Sequence, residues 1–139
     1  MPGQPAEVGN RFVAKLVDGL LIGLVLVPLF LLGAPGDDRA VTVATGLAGF
    51  VYFVVLDARG GTVGKRLLRL SVVDAAGRAP GLGPSSVRNL WLLTSLLPTV
   101  FGQLLAVLAS VGIAVTIARD PRSVGIHDRY AATFVRSSA

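Results

Sequence analysis

Arg11-Phe12-Val13-Ala14-Lys15-Leu16-Val17-Asp18-Gly19-Leu20-Leu21-Ile22-Gly23-Leu24-Val25-Leu26-Val27-Pro28-Leu29-Phe30-Leu31-Leu32 is the stretch on which the fold turns. From Gly19 to Leu32 it holds no polar side chain, which suits a helix lying in lipid. Asp18 stands at the start of that run. An ionised carboxylate at the centre of a membrane helix costs about 2.5–3.5 kcal/mol on insertion scales, so it needs a partner or a water-filled cavity. Arg11, Lys15 and Asp18 fall at i, i+4 and i+7, on one helical face. Two readings follow: a snorkelling basic pair with Lys15 bonded to Asp18, or a carboxylate facing the bundle interior to take a cation or proton.

The rest of the chain has the same character. Of its 139 residues 53% are hydrophobic and 15% charged, and the mean hydropathy is +0.71. About a quarter of residues are charged in soluble domains, so this composition argues for a membrane protein. The absence of cysteine excludes disulfides and thiolate metal sites, and the single histidine, His127, excludes a His-rich cluster. No metal and no cofactor is expected. The net charge of +5 flanks apolar spans and forms no single patch. Its expected partner is therefore the bilayer with anionic lipid headgroups, not nucleic acid. A basic start followed by an apolar run also suits a signal peptide, but Asp18 and the later spans argue against cleavage.

Two further apolar regions follow, 40–56 and 90–118. The linker between the first two spans carries Asp37, Asp38 and Arg39. The next carries Arg59, Lys65, Arg66, Arg69, Arg78 and Arg88 against Asp57 and Asp74. The positive-inside rule places this basic loop, and with it the N-terminus, in the cytoplasm. The tail, with Arg119, Arg122, Arg129 and Arg136, is also basic, yet one crossing by the third region would put it outside. A bend at Pro98 and Gly102 into helices over 85–97 and 99–119 restores parity, the former about 20 Å long and re-entrant or tilted. The expected architecture is an all-α, multi-pass bundle of short transmembrane helices with a small cytoplasmic β-hairpin-like loop. A tail over 1–9 precedes a membrane domain over 10–136, with helices near 10–33, 40–57, 85–97 and 99–119, a basic loop over 58–84, and a tail over 137–139. Asn10 is the expected cap of the first helix. Three crossings remain the alternative.

Within the loop Leu68, Leu70 and Val72 alternate with Arg69 and Ser71, the period of a half-exposed strand. Asp74-Ala75-Ala76-Gly77 reads as a turn, Pro80 to Pro84 as a breaker, and Ala132–Arg136 as a second strand able to pair with the first. Gly19 and Gly23, like Ala40, Ala44 and Ala48, have the small-residue spacing of close helix packing, within one protomer or in a homo-oligomer. Gly60-Gly61-Thr62-Val63-Gly64-Lys65-Arg66 misses the phosphate-loop pattern, because Arg59 and Arg66 occupy positions that need Gly and Ser or Thr. It reads as a Gly-rich turn whose bases lie at headgroup level. Arg88 and Asn89 open the third region, with Arg88 as an interface anchor. No Ser, Cys or Thr has the context of a nucleophile, so no enzyme is expected.

These residues in combination resemble the RDD family of bacterial membrane proteins, named for one arginine and two aspartates. Asn10-Arg11-Phe12 with Asp18 is similar to its first helix. Gly61-Thr62-Val63-Gly64-Lys65-Arg66 with the strand to Asp74 resembles its Gly-x-Thr-x-Gly-Lys-Arg loop, Arg88-Asn89-Leu90 its Arg-Asn helix start, and His127-Asp128 with Ala131 and Thr133 its closing motif. The resemblance runs from about Glu7 to Val135 and maps the signature onto Arg11, Asp18 and Asp128. Lys15, Gly64, Lys65, Arg66, Arg88, Asn89 and His127 are the supporting residues. It implies a multi-pass protein of the bacterial inner (cytoplasmic) membrane. The implied function is transport of an unidentified ion or small solute through an intramembrane carboxylate. The alternative is a non-transporting scaffold or lipid-interacting subunit in which the polar triad is structural.

Overall fold

The computed structural model describes residues 3–33, 38–97 and 100–137. Six α-helices and three strands occur among them: β1 (Gln4–Pro5), α1 (Val8–Gly33), α2 (Asp38–Ala58), α3 (Val63–Leu67), β2 (Leu70–Asp74), α4 (Leu82–Asn89), α5 (Val100–Arg119), α6 (Ile126–Tyr130) and β3 (Thr133–Ser137). A 3-10 segment, Leu90–Leu96, continues α4 toward α5.

Two of these helices are long and apolar enough to cross a membrane. Arg39–Ala58 has mean hydropathy 1.8 and Val100–Arg119 has 2.2, and little of either is buried inside the protein. Large apolar side chains of α1 and α5 also face outward, among them Leu20, Leu24, Phe101 and Leu108. A continuous apolar exterior of this kind is unstable in water and suits lipid.

At one end the termini and the middle of the chain meet in a three-stranded sheet ordered β1-β3-β2. β2 and β3 run antiparallel, with Val72 opposite Val135 and Asp74 opposite Thr133. β1 adds to the other edge of β3, with Pro5 opposite Arg136. Leu70, Val72 and Val135 point to one face and pack with Ala6 and Ala14 in a small core under the start of α1. The strand of the basic loop thus pairs with the tail strand, as the sequence reading allowed, so the loop does not close into a hairpin of its own. Its own continuation turns away at Asp74, whose carboxylate accepts from the Ala76 and Arg78 amides at 2.8 and 2.9 Å.

Other expectations change for local reasons. α1 begins at Val8, with the Glu7 carbonyl accepting from the Arg11 amide at 3.2 Å, so Asn10 lies inside the first turn and does not cap it. The Gly-rich loop contains a helix, α3, capped by Thr62, whose hydroxyl accepts from the Lys65 amide at 3.4 Å. Gly60 and Gly61 supply the positive φ values, 98° and 143°, that turn the chain out of α2 toward it. Pro84, read as a breaker, sits in the first turn of α4, where its missing amide hydrogen is not needed. Residues 90–96 form the 3-10 segment and not an α-helix. Pro98 lies outside the described residues. Gly102 packs so tightly against the Thr94 and Leu97 carbonyls that a Cβ would collide with both. The small-residue stripes are open in the protomer: Gly19 and Gly23 meet nothing within 4 Å, while Gly46 receives the 3-10 segment at Leu96.

Candidate functional site: a buried polar clasp

Just beneath the sheet, where α1, α2, α3, α4 and α6 converge, three carboxylates are fully buried: Asp18, Asp57 and Asp128, each 0% exposed. An unpaired buried charge is unaffordable, so the partners of each decide what the site is.

Asp18 is satisfied by neutral donors. Its Oδ1 accepts from the Tyr52 hydroxyl at 2.8 Å and the Gly64 amide at 2.7 Å, and its Oδ2 from the Thr62 hydroxyl at 2.5 Å. The acid of α1 thereby holds the first turn of α3 and the inner end of α2. Gly64 must be glycine for this contact, since a Cβ would meet the Ala14 carbonyl and lie 3.0 Å from the Asp18 carboxyl carbon. Lys15 does not pair with Asp18. Its ammonium lies over the Trp91 ring, 3.7 Å from the centroid, and 5.4 Å from that of Phe53.

Asp57 and Asp128 belong to a ladder of alternating charge. Arg11 Nη1 bonds Asp128 Oδ2 at 2.7 Å, and Arg88 Nη1 bonds Asp128 Oδ1. Arg88 Nε reaches Asp57 Oδ2 at 3.2 Å, and Lys65 Nζ reaches Asp57 Oδ1 at 2.5 Å. Asn89 donates to Asp57 at 3.3 Å and to the Ser85 carbonyl at 3.0 Å. Arg88 also donates to the Thr133 hydroxyl at 3.0 Å, tying the ladder to β3. Asp128 is the third residue of α6 and accepts from the Gly125 amide at 3.1 Å, so it closes its own helix N-terminus as well.

The electrostatics follow from burial and pairing. Burial alone would raise the Asp128 carboxyl, but the Arg88 charge and then the other cations beside it outweigh that and hold it below the usual carboxylate range. Burial pulls the Lys65 ammonium down, opposed by Asp57. Burial also pulls His127 down to about 3, so its imidazole is neutral near pH 7. His127 Nε2 lies 3.4 Å from Asp128 Oδ1.

The structure therefore gathers Arg11, Asp18, Lys65, Arg88, Asn89, His127 and Asp128 at one end of the helices, with Lys15 and Gly64 against them. Arg66 is left out: it is exposed and donates to the Arg59 carbonyl at 3.3 Å. Arg11 and Asp18, one face of α1 in the sequence, serve separate partners. Three members are new: Asp57, Tyr52 and Thr62. Asp57 mirrors Asp18, an acid at the inner end of an apolar run, although in the sequence it stands with the loop charges. Among the described residues no three of His, Asp and Glu converge as a metal site.

This geometry spans the two ends of the chain and its basic loop, and the model of the RDD family matches over the same extent, residues 5–132. The chain belongs to the RDD family. Curated proteins and solved structures give no match. With its two membrane-length apolar helices, the chain is an RDD membrane protein. The arginine and two aspartates mapped as its signature are Arg11 and Asp128, bonded to each other, and Asp18, bonded elsewhere.

Flanking the clasp is a cavity of about 610 Å3 between α1, α5 and the 3-10 segment. Arg11, Lys15, Asp18, Lys65, Arg88 and His127 line its polar end.

Proposed function

We propose that this RDD protein is a multi-pass, non-transporting membrane scaffold that interacts with lipid, and that its polar cluster is a structural clasp. One observation carries the reading: among the described residues every buried carboxylate has protein partners on both oxygens, Asp18 three neutral donors and Asp57 and Asp128 cations. A carboxylate that takes up a coupled ion must give up such bonds in each cycle, whereas a clasp keeps them.

The topology belongs to this proposal. The sheet joins residues near the N-terminus, the basic loop and the tail, which supports a topology with all three on one side of the membrane. That supports an even number of crossings, and the loop arginines favour the cytoplasmic side of a bacterial inner membrane. α1 and α2 supply one pair of crossings on this reading. The other pairs α5 with α4 plus its 3-10 extension, which together rise about 26 Å. A reporter fused to the C-terminus reads cytoplasmic on this topology, and a periplasmic signal overturns it. Arg59, Arg66 and Arg78 are exposed on the same side, where anionic headgroups would lie.

Transport through Asp18 is the second reading, favoured by the position of Asp18 on the cavity wall. Asp18→Asn separates the two. An amide puts its NH2 against at least one group that now donates, and a buried donor left unmatched costs about 1–3 kcal/mol. The clasp predicts a lower thermal midpoint in detergent and no change in ion flux in proteoliposomes. A mutant of wild-type stability that abolishes a wild-type flux would establish transport instead.

A further inference from the structure

We infer that the cavity between α1 and α5 is a binding site for one anionic phospholipid, with the phosphate at Lys15 and an acyl chain lying between the two helices. The inference deepens the lipid-interacting reading above and rests on it.

The wall carries four cations, Arg11, Lys15, Lys65 and Arg88, but one carboxylate, Asp18. Asp57 and Asp128 stand behind it and are shared among Arg11, Arg88 and Lys65. Even with both included, one positive charge is left over. Lys15 is the wall cation that makes no ion pair among the described residues, and it rests on the face of Trp91. A second donor is also unmet: Arg11 Nε is buried with no acceptor. Buried donors without acceptors are rare, and Arg11 Nε on the same wall as the exposed, unpaired ammonium of Lys15 suits an oxyanion.

The rest of the cavity defines the remainder of the ligand. Phe12 and Leu16 of α1 face Val111 and Ala114 of α5, an apolar limb continuous with the polar end. Both helices turn large apolar side chains outward here, Phe12 at 68% and Val111 at 55% exposure, so the limb borders the lipid-facing surface. The volume lies within the roughly 300–1,000 Å3 of ligand sites. A charged head at one end and an apolar limb beside lipid at the other describe a bilayer amphiphile, not a soluble anion.

Trp91 is the single tryptophan of the chain and lines the cavity, so its fluorescence reports occupancy. The full-length protein is reconstituted in zwitterionic phosphatidylcholine doped with bromine-labelled phosphatidylglycerol or bromine-labelled phosphatidylcholine of identical chains. Half-maximal quenching is expected at an about fivefold lower mole fraction of the anionic lipid, the ratio one lysine–anion contact supports. Lys15→Gln removes that preference and Lys15→Arg keeps it. Ala114→Phe fills the apolar limb and weakens quenching by the anionic lipid with Lys15 intact, which holds the test open should Lys15→Gln fold poorly. Equal quenching by both lipids in the wild type, a preference surviving Lys15→Gln, or relief of quenching by millimolar glycerol phosphate would overturn the assignment. Failure here leaves the clasp standing, because the clasp is read from Asp18→Asn stability and flux and not from Trp91.

Discussion

Asp18 and Asp128 are both fully buried acids at the same end of the protein, yet their surroundings are opposite. Asp18 meets two hydroxyls and a backbone amide; Asp128 meets two guanidiniums. The first arrangement is local and steric, a short acid from one helix filling the amide-lined start of another. The second is long-range and electrostatic, with Arg11 and Asp128 separated by 117 positions in the chain. Removing the Asp18 charge leaves dipoles unmatched, whereas removing the Asp128 charge leaves two buried cations facing each other. The two sites should therefore fail by different amounts and in different ways.

The largest effect is expected at Asp128. Asp128→Asn strips the shared counter-charge from Arg11 and Arg88, and breaking a buried ion pair on one side costs about 3–5 kcal/mol. Stability in detergent measured by thermal or denaturant unfolding should fall by that order, with loss of membrane abundance in cells. A change under about 1 kcal/mol would mean the ladder is not what closes the chain ends together.

Gly64→Ala tests the steric side of the comparison. The added methyl is driven into the Ala14 carbonyl, so α1 and α3 must separate and Asp18 loses its amide donor. Overpacking of this kind costs about 1–3 kcal/mol. A variant as stable as wild type would show that α3 can slide without cost, and that Asp18 is held by its hydroxyls alone. Combining it with Asp18→Asn should give less than the sum, because both changes break the same joint.

How far these sites could be read from sequence follows the same division. Arg11, Asp18, Arg88 and Asp128 are conspicuous because charge is scarce and each sits beside an apolar run, a signal that survives without knowing the fold. The pairing of β2 with β3 was legible in the alternation of Leu68, Leu70 and Val72. Tyr52 was not legible, since a hydroxyl near a span has no distinguishing neighbourhood until the chain is folded; Thr62 stands in the Gly-rich motif, but nothing there marks its hydroxyl as a partner of Asp18. Asp57 ends its apolar run, where the neighbouring loop bases point it outward. Lys15 illustrates the converse: i, i+3 spacing predicts a pair with Asp18, but that acid is taken, and the flexible lysine finds Trp91 instead. β1 has two residues and no periodicity to read.

Acid should separate the sites again. His127 is held neutral at about 3 against an ordinary value near 6.5, so the unfolded chain binds more protons between those limits. Stability is thus intact above about 6.5 and is lost progressively as pH falls toward 3. Asp128, itself held below the ordinary carboxylate range, adds a loss of the same sign only at the acidic end. Unfolding midpoints followed from pH 7 to 4.5 should decline in the wild type and flatten in His127→Asn. An equal slope in both would place the acid sensitivity elsewhere.

The smallest effect is expected from an ion pair with the same chemistry in a different place. Arg129 bonds Asp120 at the surface, with the arginine side chain 62% exposed. Water screens such a pair, and two side chains must be held for it, so Arg129→Ala should leave the unfolding midpoint within experimental scatter. Asp120→Ala should not be silent. Its carboxylate also accepts from the Arg122 amide at 2.8 Å and the Val124 amide at 3.3 Å, fixing the turn between α5 and α6 that delivers Asp128 to Arg88. Those amide bonds, with Arg129 beside them, hold the Asp120 carboxyl below its ordinary value. The expected order is Asp128→Asn, then Asp120→Ala, then Arg129→Ala. If Arg129→Ala matched Asp120→Ala, the surface charge and not the turn would be positioning α6, and the contrast between buried ladder and exposed pair would collapse.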